Sequence, residues 1–200
     1  MSSRTDTPPL SLRERKKQRT RATIQAHALR LFRERGYDHT TVEMISEAAE
    51  VGPATFYRYF PSKADVVLWD EFDPLIVAAF QAQPPDISAL SALRAAFKTV
   101  FAQMTPQQQA EQQQRSQLML DVPELRAAMT DQYTQAVGLV AEIVATRAGK
   151  HATDLDVLTL AGAVIGVSMA VMYALADNPD ADIPELLDQA LAQLERGLSL

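Results

Sequence analysis

The chain has 200 residues, 47% of them hydrophobic and 22% charged, a composition typical of a folded globular protein rather than a disordered one. It contains no cysteine, so disulfide bonds, thiolate catalysis and cysteine-based zinc sites are excluded. The formal net charge is -6, but residues 1–65 are basic, with 12 basic and 8 acidic side chains. Such a basic segment is typical of a local polyanion site or of a solvated basic tail.

Hydrophobic periodicity predicts four helices in the first part of the chain, after a segment that lacks periodicity and contains Pro8-Pro9. Gly36 is a suitable stop for the first helix, and Thr40 or Thr41 is a suitable cap for the second. Pro74 is expected to bend or interrupt the fourth. The predicted helices cover residues 12–35, 40–49, 53–59 and 63–69.

The rest of the chain also has helical periodicity, after a linker at Gln83-Pro84-Pro85-Asp86. No segment alternates between apolar and polar residues as a strand would, and no internal repeat is present. The pattern therefore predicts an all-α fold of about nine helices. The predicted helices of this part cover residues 88–104, 106–120, 123–148, 154–176 and 183–198.

Residues 157–176 form a stretch without formal charge that is long enough to span a bilayer. Its flanks carry Asp154, Asp156 and Asp177 and lack the basic or aromatic anchors of a membrane helix. We therefore interpret it as a helix buried on all sides in a helical protein, and we predict no membrane partner.

The segment from Thr40 to Lys63 is typical of two short helices joined by a tight turn, and basic residues precede it. Gly52 can cap the second helix without steric cost, and Pro53 suits its first turn. The same helix carries Tyr57, Arg58 and Tyr59, whose polar groups can bind phosphates or base edges. This combination favours a helix-turn-helix that inserts its second helix into the DNA major groove.

Residues from about 18 to 78 resemble the DNA-binding domain of TetR-type transcriptional regulators. The resemblance rests on TRATIQAHALRLFRERGY, then TTVEMISEAA, then VGPATFYRYFPSKADVV. The family usually has Gly at the position of Glu50 and Ser or Thr at the position of Gly52. The first departure places an acid near the DNA, and the second removes a capping hydroxyl.

The resemblance implies a DNA-contacting role for particular side chains. Some would lie over phosphates or in the minor groove as a basic arm, namely Arg13, Arg15, Lys16, Lys17, Arg19 and Arg21. Others would face bases or phosphates around the helix-turn-helix, namely Thr40, Thr41, Pro53, Ala54, Thr55, Tyr57, Arg58, Tyr59 and Lys63. A structural role remains open for each, because Tyr57 could be half buried and Lys63 could pair with an acid.

Residues 1–12 are expected to be a disordered tail, because they lack periodicity and contain Pro8-Pro9. The resemblance implies a DNA-binding domain over residues 13–78, with its helix-turn-helix at about 41–60, and a ligand-binding and dimerisation domain over 79–200. A homodimer would bind a near-palindromic operator, and the two chains would contact each other through their last two helices. The expected dimer-interface residues are Gly162, Gly166, Ala170, Leu187, Leu191 and Leu194. The same residues could instead belong to the core of one chain.

A small-molecule pocket is expected in the body, since methionines and aromatic residues suit an adaptable apolar cavity as well as an ordinary core. The candidates are Phe97, Phe101, Met104, Leu118, Met119, Met129, Tyr133, Met169, Met172 and Tyr173. The body also resembles, more loosely, a TetR subgroup that senses acyl-CoA-like ligands. Arg115, Arg126 or Lys98 would then meet the acidic groups of the ligand, and the expected protein is a repressor released from DNA by that ligand.

The sequence also bears on two other classes of function. The chain lacks a glycine-rich phosphate loop, an H-E-x-x-H motif and a G-x-S-x-G motif, and its histidines are scattered, so no catalytic residue, metal site or cofactor is predicted. A helical adaptor that binds another protein through its last helices is the alternative. No apolar signal core is present near the amino terminus, and a cytoplasmic protein is expected.

Overall fold

The computed structural model describes residues 11–178 and 180–198 of the chain. The described residues form helices without any strand. The helices are α1 (Leu12–Arg35), α2 (Val42–Ala48), α3 (Pro53–Tyr59), α4 (Lys63–Leu68), α5 (Asp73–Gln81), α6 (Ala89–Ala102), α7 (Pro106–Asp121), α8 (Pro123–Ala148), α9 (Leu155–Asp177) and α10 (Ile183–Glu195).

The all-α prediction is confirmed, and the described residues hold ten helices where the sequence predicts about nine. The additional helix is α5, in a segment where the sequence predicts that Pro74 bends or interrupts the fourth helix. The helix is interrupted, since α4 ends at Leu68 and α5 begins at Asp73. Pro74 does not bend a long helix: it lies in the first turn of α5, where a missing N–H is harmless. The caps agree with the predicted starts, since Ser11 and Thr105 form capping boxes at α1 and α7.

The structure divides into two compact units, residues 1–66 and 67–200. The division lies before the predicted boundary at residue 78, because α5 packs against α6 and α8 and so belongs to the second unit. We call the first unit the head and the second the body. The predicted disordered tail lies outside the described residues up to residue 10, and Ser11 and Leu12 cap and begin α1.

The head is built on a small apolar core between α1, α2 and α3. Ile24 and Ala28 of α1, Ile45 of α2 and Phe56 of α3 are fully buried. The Gln25 side chain donates a hydrogen bond from Nε2 to the Val66 carbonyl oxygen at 2.7 Å. This bond joins α1 to α4 beside the apolar core.

The body is a helical bundle in which α8 packs against α9, and α10 packs against both α6 and α9. Leu93, Ala161, Val164 and Leu191 are fully buried at its centre. Arg94 of α6 holds α10 in place by ion pairs with Asp188 at 2.6 Å and with Glu195 at 3.0 Å.

The predicted burial of α9 on all sides is wrong, because this helix buries only one face. It is long and apolar enough to cross a membrane by length and composition, a test that the core helices of water-soluble proteins also pass. Its most apolar window has a mean hydropathy of 2.0 and is 22% buried. Leu155 is 80% exposed and Tyr173 is 68% exposed. An uncharged helix face is therefore open on the body of a single chain.

Candidate nucleic-acid interface and ligand cavities

The α3 helix presents its polar side outward because its apolar side is anchored. Gly52 precedes the helix with extended backbone angles, and its carbonyl oxygen accepts hydrogen bonds from the N–H groups of Thr55 and Phe56. Phe56 is fully buried and Phe60 is 2% exposed, and their ring centroids lie 6.0 Å apart. The two phenylalanines thus hold a seven-residue helix that would be unstable alone.

The outward side of α3 carries the residues predicted to contact DNA. Pro53, Ala54, Tyr57 and Arg58 are exposed, and Thr55 is partly exposed. Tyr57 is 52% exposed, so the alternative of a half-buried tyrosine does not remove its hydroxyl from solvent. The Arg58 guanidinium lies 5.3 Å from the ring centroid of Tyr59, a cation–π contact that pre-orients the guanidinium at the end of the helix.

The predicted basic arm is helical in the structure, since its residues form the first turns of α1. Arg13, Lys16 and Lys17 line an open depression together with Arg58 and Tyr59. The depression has a volume of about 510 Å³ and brings four cationic side chains from two helices to one surface. Arg15 and Arg19 are exposed on the same helix.

Arg21 differs from the other basic residues of α1 because it is partly buried. Its Nη2 donates a hydrogen bond to the Tyr59 carbonyl oxygen at 3.3 Å, and its guanidinium lies 5.8 Å from the Phe60 ring centroid. These contacts join α1 to the end of α3. Arg21 therefore stabilises the packing of α1 against α3 and also lies at the edge of the predicted DNA-binding surface.

The prediction that Thr40 contacts the DNA backbone is wrong. Thr40 is 1% exposed, and its hydroxyl donates to the carbonyl oxygens of Leu31 and Gly36 at 3.3 and 2.8 Å. It fastens the α1–α2 turn. Thr41 is exposed and caps α2 by accepting a hydrogen bond from the Met44 N–H at 3.3 Å.

Lys63, predicted to contact a phosphate or pair with an acid, has a third set of partners here. Its Nζ donates a hydrogen bond to the Tyr37 carbonyl oxygen at 2.8 Å and lies 3.9 Å from the Tyr37 ring centroid. An ammonium group has three donors, so this bond leaves capacity for a phosphate. Lys63 thus joins the start of α4 to the α1–α2 turn.

Glu50 occupies the turn between α2 and α3 with φ of 54°, in the left-handed region that favours glycine. This conformation explains why the family usually has Gly at the position. A glutamate here costs about 1–2 kcal/mol of backbone strain. Its exposed carboxylate also adds negative charge beside the helix predicted to read DNA.

The predicted pocket residues do not share one cavity. Met129, Tyr133, Met169, Met172 and Tyr173 line a cavity of about 470 Å³ between α8 and α9, which we call the α8–α9 cavity. Arg126 also lines it, and two phenol groups face it. Burial, and then the proximity of Tyr173, raises the pKa of Tyr133.

Phe97, Phe101 and Met172 line a second cavity of about 230 Å³, which we call the inner cavity. Its remaining walls come from α5, α7, α8, α9 and α10, and they include Ile76, Val77 and Ser116, which sequence reasoning missed. Ile76 and Val77 are recognisable in the sequence only as apolar residues of a helical segment, so no signal in the sequence marks them as cavity residues.

Met104 and Phe101 line a third cavity of about 240 Å³, which we call the mouth cavity. It shares Phe101, Gln112 and Ile183 with the inner cavity. Leu118 and Met119, although predicted, line none of these three cavities.

The three basic residues proposed to meet an acidic ligand differ in availability. Arg115 is 3% exposed and donates hydrogen bonds to the Val67 carbonyl oxygen and to Gln112, besides an ion pair with Asp70 at 3.4 Å. It is therefore a structural side chain. Lys98 points to Asp188 at 4.0 Å and lines none of the three cavities, whereas Arg126 is exposed and lines the α8–α9 cavity.

The predicted interface residues separate into two groups. Gly162, Gly166 and Ala170 are exposed on the open face of α9. Leu187 is 6% exposed and Leu191 is fully buried, so both belong to the core of their own chain and their assignment to the interface is wrong. Leu194 is partly buried at a shallow surface depression. The leucines of α10 face inward because they are its apolar stripe and the bundle is on that side.

Comparison with known families covers both units. Residues 24–68 match the family described as bacterial regulatory proteins, tetR family. Residues 87–199 match the family described as the MftR C-terminal domain. The HTH-type transcriptional regulator TcmR of Streptomyces glaucescens is 36% identical over 169 residues, which cover 78% of this chain and 74% of TcmR.

Solved structures have the same architecture. The TetR-family repressor FadR of Thermus thermophilus, in complex with lauroyl-CoA, is 25% identical with a TM-score of 0.54, covering 90% of this chain and 95% of FadR. SmeT of Stenotrophomonas maltophilia, the repressor of a multidrug efflux pump, is 19% identical with a TM-score of 0.57, covering 92% of this chain and 95% of SmeT, a likeness of fold alone. The chain belongs to the TetR family of helix-turn-helix transcriptional regulators.

Proposed function

We propose that the chain is a homodimeric repressor that binds a near-palindromic operator through α3 and leaves it when the body binds a small apolar effector. The observation that carries this proposal is the outward side of α3. Tyr57 and Arg58 are exposed on a helix fixed by the buried Phe56 and Phe60, beside the cations of α1. Such a helix can enter a major groove while the flanking cations neutralise phosphates.

The roles within this interface follow from exposure and chemistry. The start of α3 and Arg58 are proposed to face bases, because small exposed residues permit close approach and a guanidinium can bond guanine with two N–H groups. The remaining contacts are proposed to be with phosphates. They are Thr41, Tyr57, Tyr59, Lys63 and the basic residues of the first turns of α1, namely Arg13, Arg15, Lys16, Lys17, Arg19 and Arg21.

The experiment that tests DNA binding measures the affinity of the purified protein for fragments upstream of its own gene and its neighbours, at two salt concentrations and with competitor DNA. A discrete complex that survives competition is expected on one near-palindromic site. Salt-sensitive binding without a preferred fragment would mean that only the basic surface of α1 acts. Absence of binding at low salt would contradict the proposal and favour a protein-binding adaptor.

Homodimerisation is proposed to occur on the open face of α9, because two heads must reach half-sites about one helical turn apart. Gly162 and Gly166 are exposed there, and a Cβ atom at either position would meet nothing within 4 Å. Gly162→Gln should therefore be tolerated by the single chain and should even favour its helix by about 0.5–1 kcal/mol. The bulky side chain should nevertheless prevent close pairing of α9 with its copy.

The matched control is Gly138→Gln, since Gly138 is an exposed glycine within α8 with equally open space around it. Sedimentation equilibrium should give a dimer for the control and a monomer for Gly162→Gln. Unchanged dimerisation of both variants would place the interface elsewhere.

The effector is proposed to bind in the α8–α9 cavity, and an acyl-CoA-like molecule is the first candidate. Its support is the volume of about 470 Å³, the methionine-rich wall and Arg126, which can meet an acidic group. FadR, which is similar to this chain, was solved with lauroyl-CoA. Gly162 and Gly166 belong to this wall and to the proposed dimer face, so a ligand there can favour a pairing with mis-spaced heads.

If a ligand lowers the affinity of the protein for DNA by some factor, DNA must lower the affinity of the protein for that ligand by the same factor. Titration of lauroyl-CoA into the protein–operator complex should therefore release DNA, and Arg126→Gln should require a higher concentration. Release by lauroyl-CoA that is the same in Arg126→Gln would contradict the role of Arg126. The rest of the proposal is that the protein acts in the cytoplasm and has no enzymatic activity.

A further inference from the structure

The inner cavity is chemically distinct from the α8–α9 cavity. Most of its wall is apolar and comes from residues such as Ile76, Phe97 and Val140. Its polar residues are Asp70 before α5, Asp73 at the start of α5, Gln112 and Ser116 of α7, and Ser168 of α9. Among the described residues no lysine, arginine or histidine lines it. An acidic ligand group would therefore meet carboxylates and no cation.

Ser116 is the most telling polar residue of this wall. It is 5% exposed, and its hydroxyl makes no hydrogen bond to any described residue. Other helical hydroxyls, such as that of Thr99, donate to the carbonyl oxygen four residues earlier. The hydroxyl oxygen is not among the fully enclosed polar atoms of the described residues, so a ligand in the cavity can form a hydrogen bond with it.

Asp73 carries an ionisable group that lacks a partner in the described part of the chain, where it has neither a hydrogen bond nor an ion pair. The nearest buried cation, Arg115, is occupied by Val67, Gln112 and Asp70. Desolvation, and then the charge of Asp70, raises the pKa of Asp73 to about 6. The side chain of Asp73 is nevertheless exposed to solvent, so the carboxylate is ionised at neutral pH and can receive a cation in the cavity.

We propose that the inner cavity is a binding site for a protonated apolar amine, whose ammonium group meets Asp73 and Ser116 and whose hydrocarbon lies along Ile76, Phe97 and Val140. An ammonium group supplies a positive charge that pairs with the Asp73 carboxylate and an N–H group that donates a hydrogen bond to the Ser116 hydroxyl oxygen. This site goes beyond the proposed acyl-type effector and does not depend on DNA binding.

The mouth cavity suits the entry of such a ligand. It adjoins the inner cavity, with which it shares Phe101, Gln112 and Ile183, and its own wall includes Asp180 and Asp182. With volumes of about 230 and 240 Å³, the two cavities together reach the range of roughly 300–1,000 Å³ of small-molecule sites. The acidic residues at the opening attract cations and repel anions.

The test compares four probes with the same ten-carbon chain, namely decylamine, decyltrimethylammonium, decanol and decanoate, by calorimetric titration of the full chain without DNA and below their aggregation concentrations. Decylamine is expected to bind about fivefold more tightly than decanol, since one partly buried ion pair contributes that factor. Asp73→Asn should remove this preference, leave the binding of decanol unchanged and, because one repelling charge is gone, leave decanoate bound at least as tightly as before.

Two further variants separate charge from hydrogen bonding and from general effects. Ser116→Ala should weaken decylamine but not decyltrimethylammonium, which has no N–H donor. Asp86→Asn is the matched control, because Asp86 is an exposed carboxylate of the same unit that lines none of the three cavities. The proposal is overturned if decylamine binds no more tightly than decanol, or if Asp86→Asn lowers its affinity as much as Asp73→Asn.

Discussion

Replacing Lys63 with alanine separates two roles of one side chain. The Nζ atom bonds the Tyr37 carbonyl oxygen at 2.8 Å and lies 3.9 Å from the Tyr37 ring centroid. A hydrogen bond from a charged group stabilises by about 1.5–3 kcal/mol and an exposed cation–π contact by about 0.5–1 kcal/mol. The carbonyl oxygen also accepts from the Thr40 N–H, so it keeps a partner in the variant. We therefore expect a loss of about 1–2 kcal/mol in the free energy of unfolding.

The effect of Lys63→Ala on DNA binding is a separate quantity. Each lost phosphate contact lowers the slope of log affinity against log salt by about 0.9, and a dimer would lose about twice that. Fluorescence anisotropy with the operator across a salt series gives the slope, and urea unfolding gives the stability. The control is Lys98→Ala, since Lys98 lies in the body with its side chain 73% exposed, and both quantities should stay unchanged. If Lys63→Ala lowers the free energy of unfolding but leaves the salt slope unchanged, Lys63 does not contact a phosphate and only stabilises the fold.

Three further substitutions test other parts of the structure. Glu50→Gly should raise the free energy of unfolding by about 0.5–1 kcal/mol, because the strain relieved at φ of 54° exceeds the entropy that glycine adds to the unfolded chain. It should also tighten operator binding by removing a negative charge, and a destabilised variant in urea unfolding would contradict this. Arg115→Ala should lose about 3–5 kcal/mol in the same assay, since it leaves the buried Val67 carbonyl oxygen and the Asp70 carboxylate without their partner; a loss below about 1 kcal/mol would refute its structural role. Asp73→Asn should stabilise the protein at pH 7 and lose that advantage near pH 4. The pKa of Asp73 in the folded protein, about 6, lies above the ordinary value of 3.8, so the stability of the wild-type protein falls as the pH rises from 3.8 to 6. An equal difference in stability between variant and wild type at both pH values would contradict the raised pKa of Asp73.

The local signals of this chain are strong enough to predict most of its helices. Gly36 marks the end of α1, where its φ of 84° favours glycine, and Gly52 precedes the start of α3 with ordinary extended backbone angles. Ser11 and Asp182 cap helices with side-chain oxygens directly before the predicted starts at residues 12 and 183. These signals depend on neighbours in sequence, and they therefore survive without knowledge of the fold.

Contacts between distant segments could not be predicted in this way. Thr40 resembles a surface threonine in sequence, but its hydroxyl is bonded to the end of α1. Leu187 and Leu191 form an apolar stripe that suits a dimer interface as well as a core, and only the position of α10 against α6 and α9 assigns them to the core. The partition of the predicted pocket residues among separate cavities likewise depends on how α5, α7 and α8 meet.

Hydroxyl-radical footprinting of the operator complex tests the central claim most directly, because it records where two copies of α3 meet one DNA. The account predicts two short protected regions on one face of the duplex, about 34–36 Å apart or slightly more. Arg58→Ala should weaken both regions together, since the two chains are related by symmetry. A single protected region, or uniform protection that does not depend on sequence, would contradict a dimer that reads DNA through α3.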